Sequence, residues 1–330
     1  MSLKLLLLRG RSVWALMAVG LILAAPAAAQ TTRQYYIAAE DVVWDFAPSH
    51  QDLTHGGPIP KPWTNYTVWQ KTRYIEYSDA SFSAPKPQPE WLGVLGPIIR
   101  AEVGDTVQVH FRNRSSRGSF SMHPHGLRYT KDNEGAHYLG AGAGSEIPPG
   151  GSFTYTWVAD ANSGPGPGDP SSIVWWYHSH IDEPAETNLG LLGPIVVTRA
   201  GSAKPDGSPI DVDKEFVAAF FIFNEDGGKE RGLMHSINGY IFGNLRGLEA
   251  NNGDKVRWYL LGMGNELDLH TPHWHGKTLL YENRRTDVIE LLPASMATAD
   301  MIADNPGTWL FHCHVADHLK AGMLTTWKVN

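Results

Sequence analysis

Short segments in which apolar and polar residues alternate run through most of this chain. Residues 106–111, 152–157 and 255–260 place a hydrophobic side chain at every second position. Period-two alternation is typical of strands with one face buried and the other in water. Long amphipathic helical patterns are lacking, and glycine and proline interrupt the sequence throughout. The pattern therefore predicts an all-β protein built as Greek-key sandwiches or barrels.

The alternating segments form two similar series, separated by a polar stretch from Ala200 to Lys214 that is typical of a linker. In each series a Gly-Asp turn leads into a strand and a His-x-His-Gly motif follows. A Pro-Gly turn with an aromatic strand comes next, and a His-x-His pair lies near the end. We therefore expect two copies of one β fold, a first domain over residues 30–200 and a second over 201–330.

The first 29 residues have the composition of a secretory signal peptide. A positively charged start is followed by a largely apolar run over residues 13–23 and by small residues that end at Ala29. The sequence predicts cleavage after Ala29 and a periplasmic or secreted protein. No later apolar run is long enough to cross a membrane, so we expect no membrane contact after cleavage.

Charge and cysteine content narrow the functional classes. The formal net charge of −7 argues against nucleic acid as a partner. A chain whose one cysteine is Cys313 forms no internal disulfide. Stability is therefore expected to come from the hydrophobic core, from bound metal and from contacts between subunits.

Histidines are concentrated in four clusters. Side chains at positions i and i+2 of a strand point to the same side, so a His-x-His pair presents two imidazoles to one cavity. Repeated pairs in both series indicate metal binding, and imidazole suits copper, zinc, iron or nickel. The clusters are His123/His125, His178/His180, His270/His273/His275 and His312/His314/His318.

The surroundings of Cys313 favour copper among these metals. Cys313 lies between two histidines, and His318 and Met323 follow shortly after it. One thiolate, two imidazoles and a weak axial thioether form the ligand set of a blue-copper centre. A buried free cysteine beside surface histidines would be the alternative if this were the sole cluster.

With these motifs the chain resembles the multicopper oxidases, in particular the small two-domain laccase-like enzymes. Residues 91–105, His123-Pro124-His125-Gly126 and residues 177–182 also resemble ceruloplasmin. The resemblance implies two cupredoxin-like Greek-key β-barrel domains. It also implies four copper ions per chain: one type 1, one type 2 and a type 3 pair.

The resemblance assigns ligands by motif position. Type 1 copper would be bound by His270, Cys313, His318 and, axially, Met323; type 2 copper by His123 and His273; the type 3 pair by His125, His178, His180, His275, His312 and His314. Because Cys313 is bonded along the chain to two cluster ligands, electrons would have a short covalent route from the type 1 centre to the trinuclear cluster.

Other residues near the motifs are weaker candidates. Tyr129 stands where small laccases place a tyrosine that supplies an electron or a hydrogen bond, and an ordinary packed tyrosine is the alternative. Asp182 is a candidate for proton delivery. The remaining histidines fit no motif and are expected at surface or structural positions: His50, His55, His110, His137 and His235.

Aligning the two series predicts that the type 1 site occurs once. The places of His270, Cys313, His318 and Met323 are taken in the first series by Phe120, Ser179, Pro184 and Leu189, or Leu191 with a two-residue gap. The first domain is thus expected to keep cluster histidines without a blue copper. The resemblance further implies a homotrimer, in which the first domain of one subunit meets the second domain of its neighbour.

The main functional interpretation is a laccase-type oxidoreductase. Phenolic or aromatic amine donors would be oxidised one electron at a time at the type 1 copper, coupled to four-electron reduction of dioxygen to water. A metallo-oxidase for Fe(II) or Cu(I) is the alternative, suggested by the ceruloplasmin-like segments. A copper nitrite reductase fits less well, because that enzyme has its blue copper in the first domain. A copper-storage or structural cupredoxin module is the non-enzymatic alternative. The expected partners are dioxygen and a small reducing substrate.

Overall fold

The structure is a computed structural model that describes residues 31–264 and 269–330. The predicted signal peptide lies outside these residues. In the part of the chain that is described, none of the helices combines the length and the apolar character needed to span a bilayer. Strands dominate and the α-helices are short. The all-β prediction is confirmed.

The strands follow one another in two series along the chain. The first domain contains β1 (Thr32–Asp45), β2 (Val68–Tyr77), β3 (Ile99–Glu102), β4 (Thr106–Asn113), β5 (His123–Pro124), β6 (Arg128–Tyr129), β7 (Ser152–Val158), β8 (Ser172–His178), α1 (Glu183–Leu189) and β9 (Leu192–Thr198). The second contains β10 (Lys214–Asn224), β11 (Leu233–Ile237), β12 (Glu249–Ala250), β13 (Lys255–Gly262), β14 (Pro272–Trp274), β15 (Leu279–Tyr281), β16 (Arg284–Thr286), β17 (Met296–Ile302), β18 (Gly307–Cys313), α2 (Ala316–Lys320) and β19 (Leu324–Val329). Single 3-10 turns lie at Trp63–Asn65, Glu90–Leu92, Lys131–Asn133, Ala143–Ser145 and Glu230–Gly232.

The two domains repeat one sheet topology. One sheet of the first domain has the order β2-β1-β4-β7-β6, and its counterpart in the second has the order β11-β10-β13-β17-β15-β16. The facing sheets have the orders β3-β9-β8-β5 and β12-β19-β18-β14. Two sheets packed face to face form a sandwich whose inner faces share a core. The predicted internal repeat is therefore confirmed, as two cupredoxin-like domains.

The three segments with the clearest alternation form β4, β7 and β13. In β4 buried and half-buried residues alternate along the whole strand. In β13, every residue from Val256 to Gly262 is buried, so the expectation of a half-buried strand is wrong there. The reason is that the first domain covers the outer face of β13, where Tyr259 and Leu261 join a core shared by both domains.

This shared core joins the four-stranded sheet of the first domain to the six-stranded sheet of the second. Trp176 and Leu192 pack in one hydrophobic cluster with Val217, Phe221 and Tyr259. Full burial of one such side chain stabilises a fold by about 1.5–3 kcal/mol relative to leaving it exposed. Because the contact is apolar and continuous, the two domains form one packed unit.

Polar contacts reinforce the junction between the domains. The guanidinium of the fully buried Arg257 donates to Ser172 Oγ over 2.7 Å. Ser172 is also hydrogen-bonded to the Tyr259 hydroxyl at 2.7 Å. The ammonium of Lys71, which is fully buried, pairs with Glu225 of the other domain. Charges that are buried in this way need a partner, so these pairs fix the relative placement of the domains.

Candidate metal centres

Three predicted ligands converge on one buried point of the second domain. Cys313 ends β18, His318 lies in α2 and His270 precedes β14. Their ligand atoms all lie within 4.8 Å of one another, and all three residues are buried. Cys313 Sγ lies 3.6 Å from His318 Nδ1. We call His270, Cys313, His318 and Met323 the thiol site.

The chain returns to the thiol site through the turn after α2. The amide of Cys313 donates to Met323 O over 3.0 Å, and the amide of Met323 donates to His318 O over 3.0 Å. Gly322 has a φ of +104°, and an added Cβ would lie 2.9 Å from the Phe242 ring. Only glycine adopts this conformation readily. The turn therefore brings the fully buried Met323 beside Cys313.

The residues of the thiol site fit a copper ion. Both ring nitrogens of the buried His270 lack a hydrogen-bond partner among the described residues. Burying polar atoms without a partner is costly, so they point to a missing ligand. Burial lowers the pKa of His270 to about 3 and keeps its imidazole neutral and able to bind metal. Two imidazoles and a thiol form a donor set that suits copper.

Four histidines of the second domain form a cluster next to the thiol site. His273 and His312 are opposite each other where β14 pairs with β18. The Nε2 atoms of His275 and His312 lie 3.1 Å apart. His312 Nδ1 is hydrogen-bonded to Cys313 O at 2.7 Å, which leaves Nε2 for a metal. The ring of His314 lies 5.2 Å from that of His273. We call these four histidines the second half-site.

The first domain repeats this geometry. His123 and His178 are opposite each other where β5 pairs with β8. The Nε2 atoms of His125 and His178 lie 3.0 Å apart, and His178 Nδ1 is hydrogen-bonded to Ser179 O at 2.9 Å. The ring of His180 lies 5.0 Å from that of His123. These four histidines, the first half-site, share with the second half-site the strand pairing, the close pair of Nε2 atoms and the hydrogen bond from one ring to a backbone carbonyl.

The two half-sites of one chain do not meet. Among the described residues, no hydrogen bond or ring contact joins a histidine of one half-site to a histidine of the other. His275 and His314 are exposed, and His123, His125 and His180 are half-buried. Each half-site therefore opens to the surface of the chain.

The weaker candidates lie in different surroundings. The ring of Tyr129 is 5.8 Å from that of His123, beside the first half-site, and is half-buried. Asp182 is exposed at the N-terminus of α1, and in the described part of the chain it makes no hydrogen bond or ion pair with a cluster histidine. Glu186, which follows it by one helical turn, is the buried carboxyl group of this region.

Two residues near the sites have no motif that could have marked them in the sequence. His235 is buried on β11, and its ring lies 5.2 Å from that of His318. Asp287 has its carboxylate 3.6 Å from His273 Nε2. Of the five histidines expected at surface or structural positions, His235 is the one that lies against a candidate ligand.

The buried histidines predict how acid affects the metal-free protein. Burial lowers the pKa of His178 and His270 to about 3 and that of His125 to about 4. The unfolded chain takes up these protons near a pKa of about 6.5, so the unfolded state binds more protons between about 4 and about 6.5. We expect the free energy of unfolding to fall as pH falls through this range, by up to about 1.4 kcal/mol per pH unit for each histidine.

Urea denaturation of the metal-free protein at several pH values measures this loss. His270→Leu should reduce the slope by about one proton. A free energy of unfolding that stays constant across the range would contradict the neutral, buried state of these rings.

Comparison with known proteins agrees with this geometry. The sequence matches the family described as multicopper oxidase over residues 92–202 and again over residues 222–330. The matched stretches contain all of the candidate ligands.

The chain belongs to the multicopper oxidase family.

Individual relatives of this multicopper oxidase are ferroxidase HEPHL1, hephaestin and ceruloplasmin, all from Homo sapiens. The first is 36% identical over 91% of this chain, and the other two are 35% identical over 90%. The chain spans only 29% of the first two relatives and 31% of ceruloplasmin. Copper is therefore the cofactor that the family implies, while the activities of these longer proteins do not transfer directly.

Solved structures show the same fold. One titled as a crystal structure of multicopper oxidase has a TM-score of 0.67 at 21% identity, and the alignment covers 91% of this chain and 90% of that one. The blue copper oxidase from Nitrosomonas europaea has a TM-score of 0.63 at 20% identity, with 90% and 86% covered. The prediction of cupredoxin-like domains is confirmed.

Proposed function

We propose that this multicopper oxidase is a metallo-oxidase that oxidises Fe(II) and passes the electrons to dioxygen. The observation that carries the proposal is the pair His235 and Asp317 beside the thiol site. The names of the relatives, which include a ferroxidase, support the metallo-oxidase alternative better than the laccase-type interpretation.

The ligand assignment is part of the proposal. His270, Cys313 and His318, with Met323 as axial ligand, would bind type 1 copper; His123 and His273 would bind type 2 copper; the other six half-site histidines would bind the type 3 pair. Bound copper supplies one-electron oxidation of the donor and four-electron reduction of dioxygen to water. Cys313 holds the two sites close together, since it is peptide-bonded to His312 and His314. Burial of the thiol site and of His312 keeps water from the route through that histidine.

His235 and Asp317 would form the entry point for the cation. Asp317 is exposed and directly precedes His318. Burial lowers the pKa of His235 to about 4, and the nearby Asp317 carboxylate opposes this shift. His235 Nδ1 has no hydrogen-bond partner among the described residues. An imidazole nitrogen and a carboxylate oxygen are ligands for a cation such as Fe(II), whereas a neutral phenol as donor gains little from them.

Removing the Asp317 carboxylate should weaken the oxidation of Fe(II) and spare that of phenolic donors. We expect Asp317→Asn to raise KM for Fe(II) by about tenfold and to leave KM for a phenolic donor within about twofold, because it removes a cation ligand and leaves the thiol site intact. Steady-state kinetics with both donors measures the difference. Glu249→Gln removes one exposed charge on β12 and serves as the control. An equal rise in KM for both donors would argue against a cation site.

The laccase-type function has one specific observation in its favour. Leu269 and Leu292 are 47% and 63% exposed, and both adjoin the paired residues His270 and Leu291. Exposed leucines beside a type 1 ligand could bind an aromatic ring. Oxygen uptake by the copper-loaded protein with Fe(II), Cu(I) and phenolic donors decides between these functions. We expect kcat/KM for Fe(II) to exceed that for phenols by about tenfold or more. A higher value for phenols would establish the laccase type, and no uptake with any donor would exclude both.

We also propose that the protein acts as a homotrimer. Each half-site is open and lacks the other within its own chain, so a second copy that brings its complementary half-site would complete an eight-histidine cluster. Head-to-tail contacts of this kind close into a ring when the rotation fits. Export to the periplasm or the medium, as the N-terminal sequence predicts, completes the proposal.

A further inference from the structure

The first domain has a serine at the place where the second domain has its thiol. The amide of Thr271 donates to Cys313 Sγ over 3.4 Å, and in the first domain the amide of Ser121 donates to Ser179 Oγ over 3.0 Å. The buried Phe120 stands in place of His270. Both residues lie in isolated bridges at matching positions, Phe120 with Ile147 and His270 with Leu291. The fold of a type 1 site is thus preserved without its ligands.

The side chain of Glu186, on α1, lies at this position of the first domain. It is 5% exposed, and its Oε2 accepts a hydrogen bond from the amide of Ile181 over 2.9 Å. The side chain of Ser179 acts on the same carboxyl group and favours its charged form. In the second domain the corresponding amide, that of Val315, acts to lower the pKa of the Cys313 thiol, which burial raises. The Glu186 carboxyl group therefore accepts a hydrogen bond from the amide whose counterpart in the other domain acts on the Cys313 thiol.

Every amide from Ser179 to Ile181 has an acceptor in this arrangement. Ser179 donates to Leu191 O over 3.0 Å, His180 donates to Ser121 Oγ over 3.0 Å, and Ile181 donates to Glu186. Buried amides without an acceptor are rare and costly. This segment directly follows β8, which ends at His178, and it contains His180 of the first half-site. Its backbone is thus fixed by the Leu191 carbonyl and by the side chains of Ser121 and Glu186.

The groups that face Glu186 come from several elements. The Tyr74 hydroxyl on β2 donates to Ser121 O over 2.5 Å and interacts electrostatically with Glu186. Asp182 contributes a carboxylate from the start of α1. Burial raises the pKa of Glu186, and the amides of Ile181 and Asp182 and the Ser179 hydroxyl oppose the rise. The carboxyl group is thus set within a closed hydrogen-bond network.

We propose that Glu186 and Ser179 form a polar pair, here called the lock, at the place of a second type 1 site. The lock holds His178 and His180 in position for copper. The proposal rests on the proposed function, because it takes these two histidines as cluster ligands. Glu186 is a positioning residue: it acts on the ligands through the backbone of residues 179–181.

Three variants test the lock. Glu186→Ala removes the acceptor, and Glu186→Gln keeps an oxygen for the Ile181 amide and offers a donor to Ser179. Glu183→Ala on the same helix is the matched control, since Glu183 accepts from the Thr187 hydroxyl through its backbone carbonyl and its side chain has no hydrogen bond to another described residue. Hydrogen exchange of the copper-free protein is measured on the peptide covering residues 178–182. We expect exchange there to accelerate by about tenfold or more in Glu186→Ala and to stay near the wild-type rate in Glu186→Gln and Glu183→Ala.

Copper binding provides the second measurement. We expect Glu186→Ala to lower the affinity for cluster copper by about ten- to a hundredfold, as loss of an outer-shell partner does. The blue absorption of the thiol site should remain, which would exclude general misfolding. Unchanged exchange, or an equal loss of blue and cluster copper, would overturn the lock. If Glu186→Ala does not fold, Glu186→Asp, whose carboxylate is one methylene shorter, is judged by the same two measurements. A wild-type protein that binds no cluster copper would overturn the proposed function instead, and the exchange result would still decide on the lock.

Discussion

Replacing Cys313 with serine is expected to abolish the blue absorption and to lower donor oxidation by about a thousandfold or more. The chain has no other thiol, and the first domain offers Ser179 at the equivalent place. A serine hydroxyl is a far weaker ligand for copper than a thiolate, so His270 and His318 would lose the partner that completes their site. The substitution conserves size and leaves the Thr271 amide with an acceptor. Unfolding is therefore not the expected cause of the loss.

Copper analysis and electron paramagnetic resonance measure the outcome. The Cys313→Ser protein should retain the copper of its half-site clusters, whose histidines keep their hydrogen bonds to backbone carbonyls. Ser179→Ala is the matched control in the first domain, and it should retain the blue absorption. Donor oxidation at the wild-type rate by Cys313→Ser would refute the assignment of the thiol site.

Mixing two inactive variants is expected to restore activity if the clusters form between subunits. His178→Ala removes a ligand of the first half-site, and Cys313→Ser removes the electron entry next to the second. Each variant alone should be inactive. In rings assembled at random from equal amounts, about a quarter of the junctions join an intact first domain to an intact second domain. The mixture should therefore recover about a quarter of the wild-type oxygen uptake.

The control for this experiment is a chain that carries both substitutions, mixed with either single variant. Such mixtures contain no junction with two intact partners and should stay inactive. A mixture of the two single variants that also stays inactive after subunit exchange, shown by mass spectrometry of mixed trimers, would place each cluster within one chain and contradict the ring.

Local sequence patterns were sufficient for the strands, the repeat and the histidine clusters. Alternation marks a strand such as β4 because one of its faces meets a single core. The same pattern gave the wrong burial for β13, which is covered on both faces, because its second covering layer comes from residues that are distant in sequence. His-x-His pairs could be recognised since both rings are set by one strand. Aligning the two series likewise predicted that the first domain has no counterpart of Cys313.

Residues that act through tertiary contacts could not be identified in this way. His235 lies beside His318 only because β11 pairs with β10 and so reaches the thiol site. Glu186 has no motif, and its burial depends on α1 folding back over Ser179. The nearby Asp182 was the candidate for proton delivery, yet the structure places it in solvent at the helix N-terminus. Sequence distance from a ligand was therefore a poor guide to burial.

The hydrophobic core shared by the two domains has a consequence for assembly. It fixes the direction in which the first half-site points relative to the second, since the domains cannot turn without opening that core. A ring of three closes only if each copy is rotated by about 120° from the one before. In the proposed trimer this angle would be set by apolar side chains such as Trp176 and Phe221, which are not copper ligands. Substitutions there could change the number of subunits in the ring while every copper ligand stayed the same.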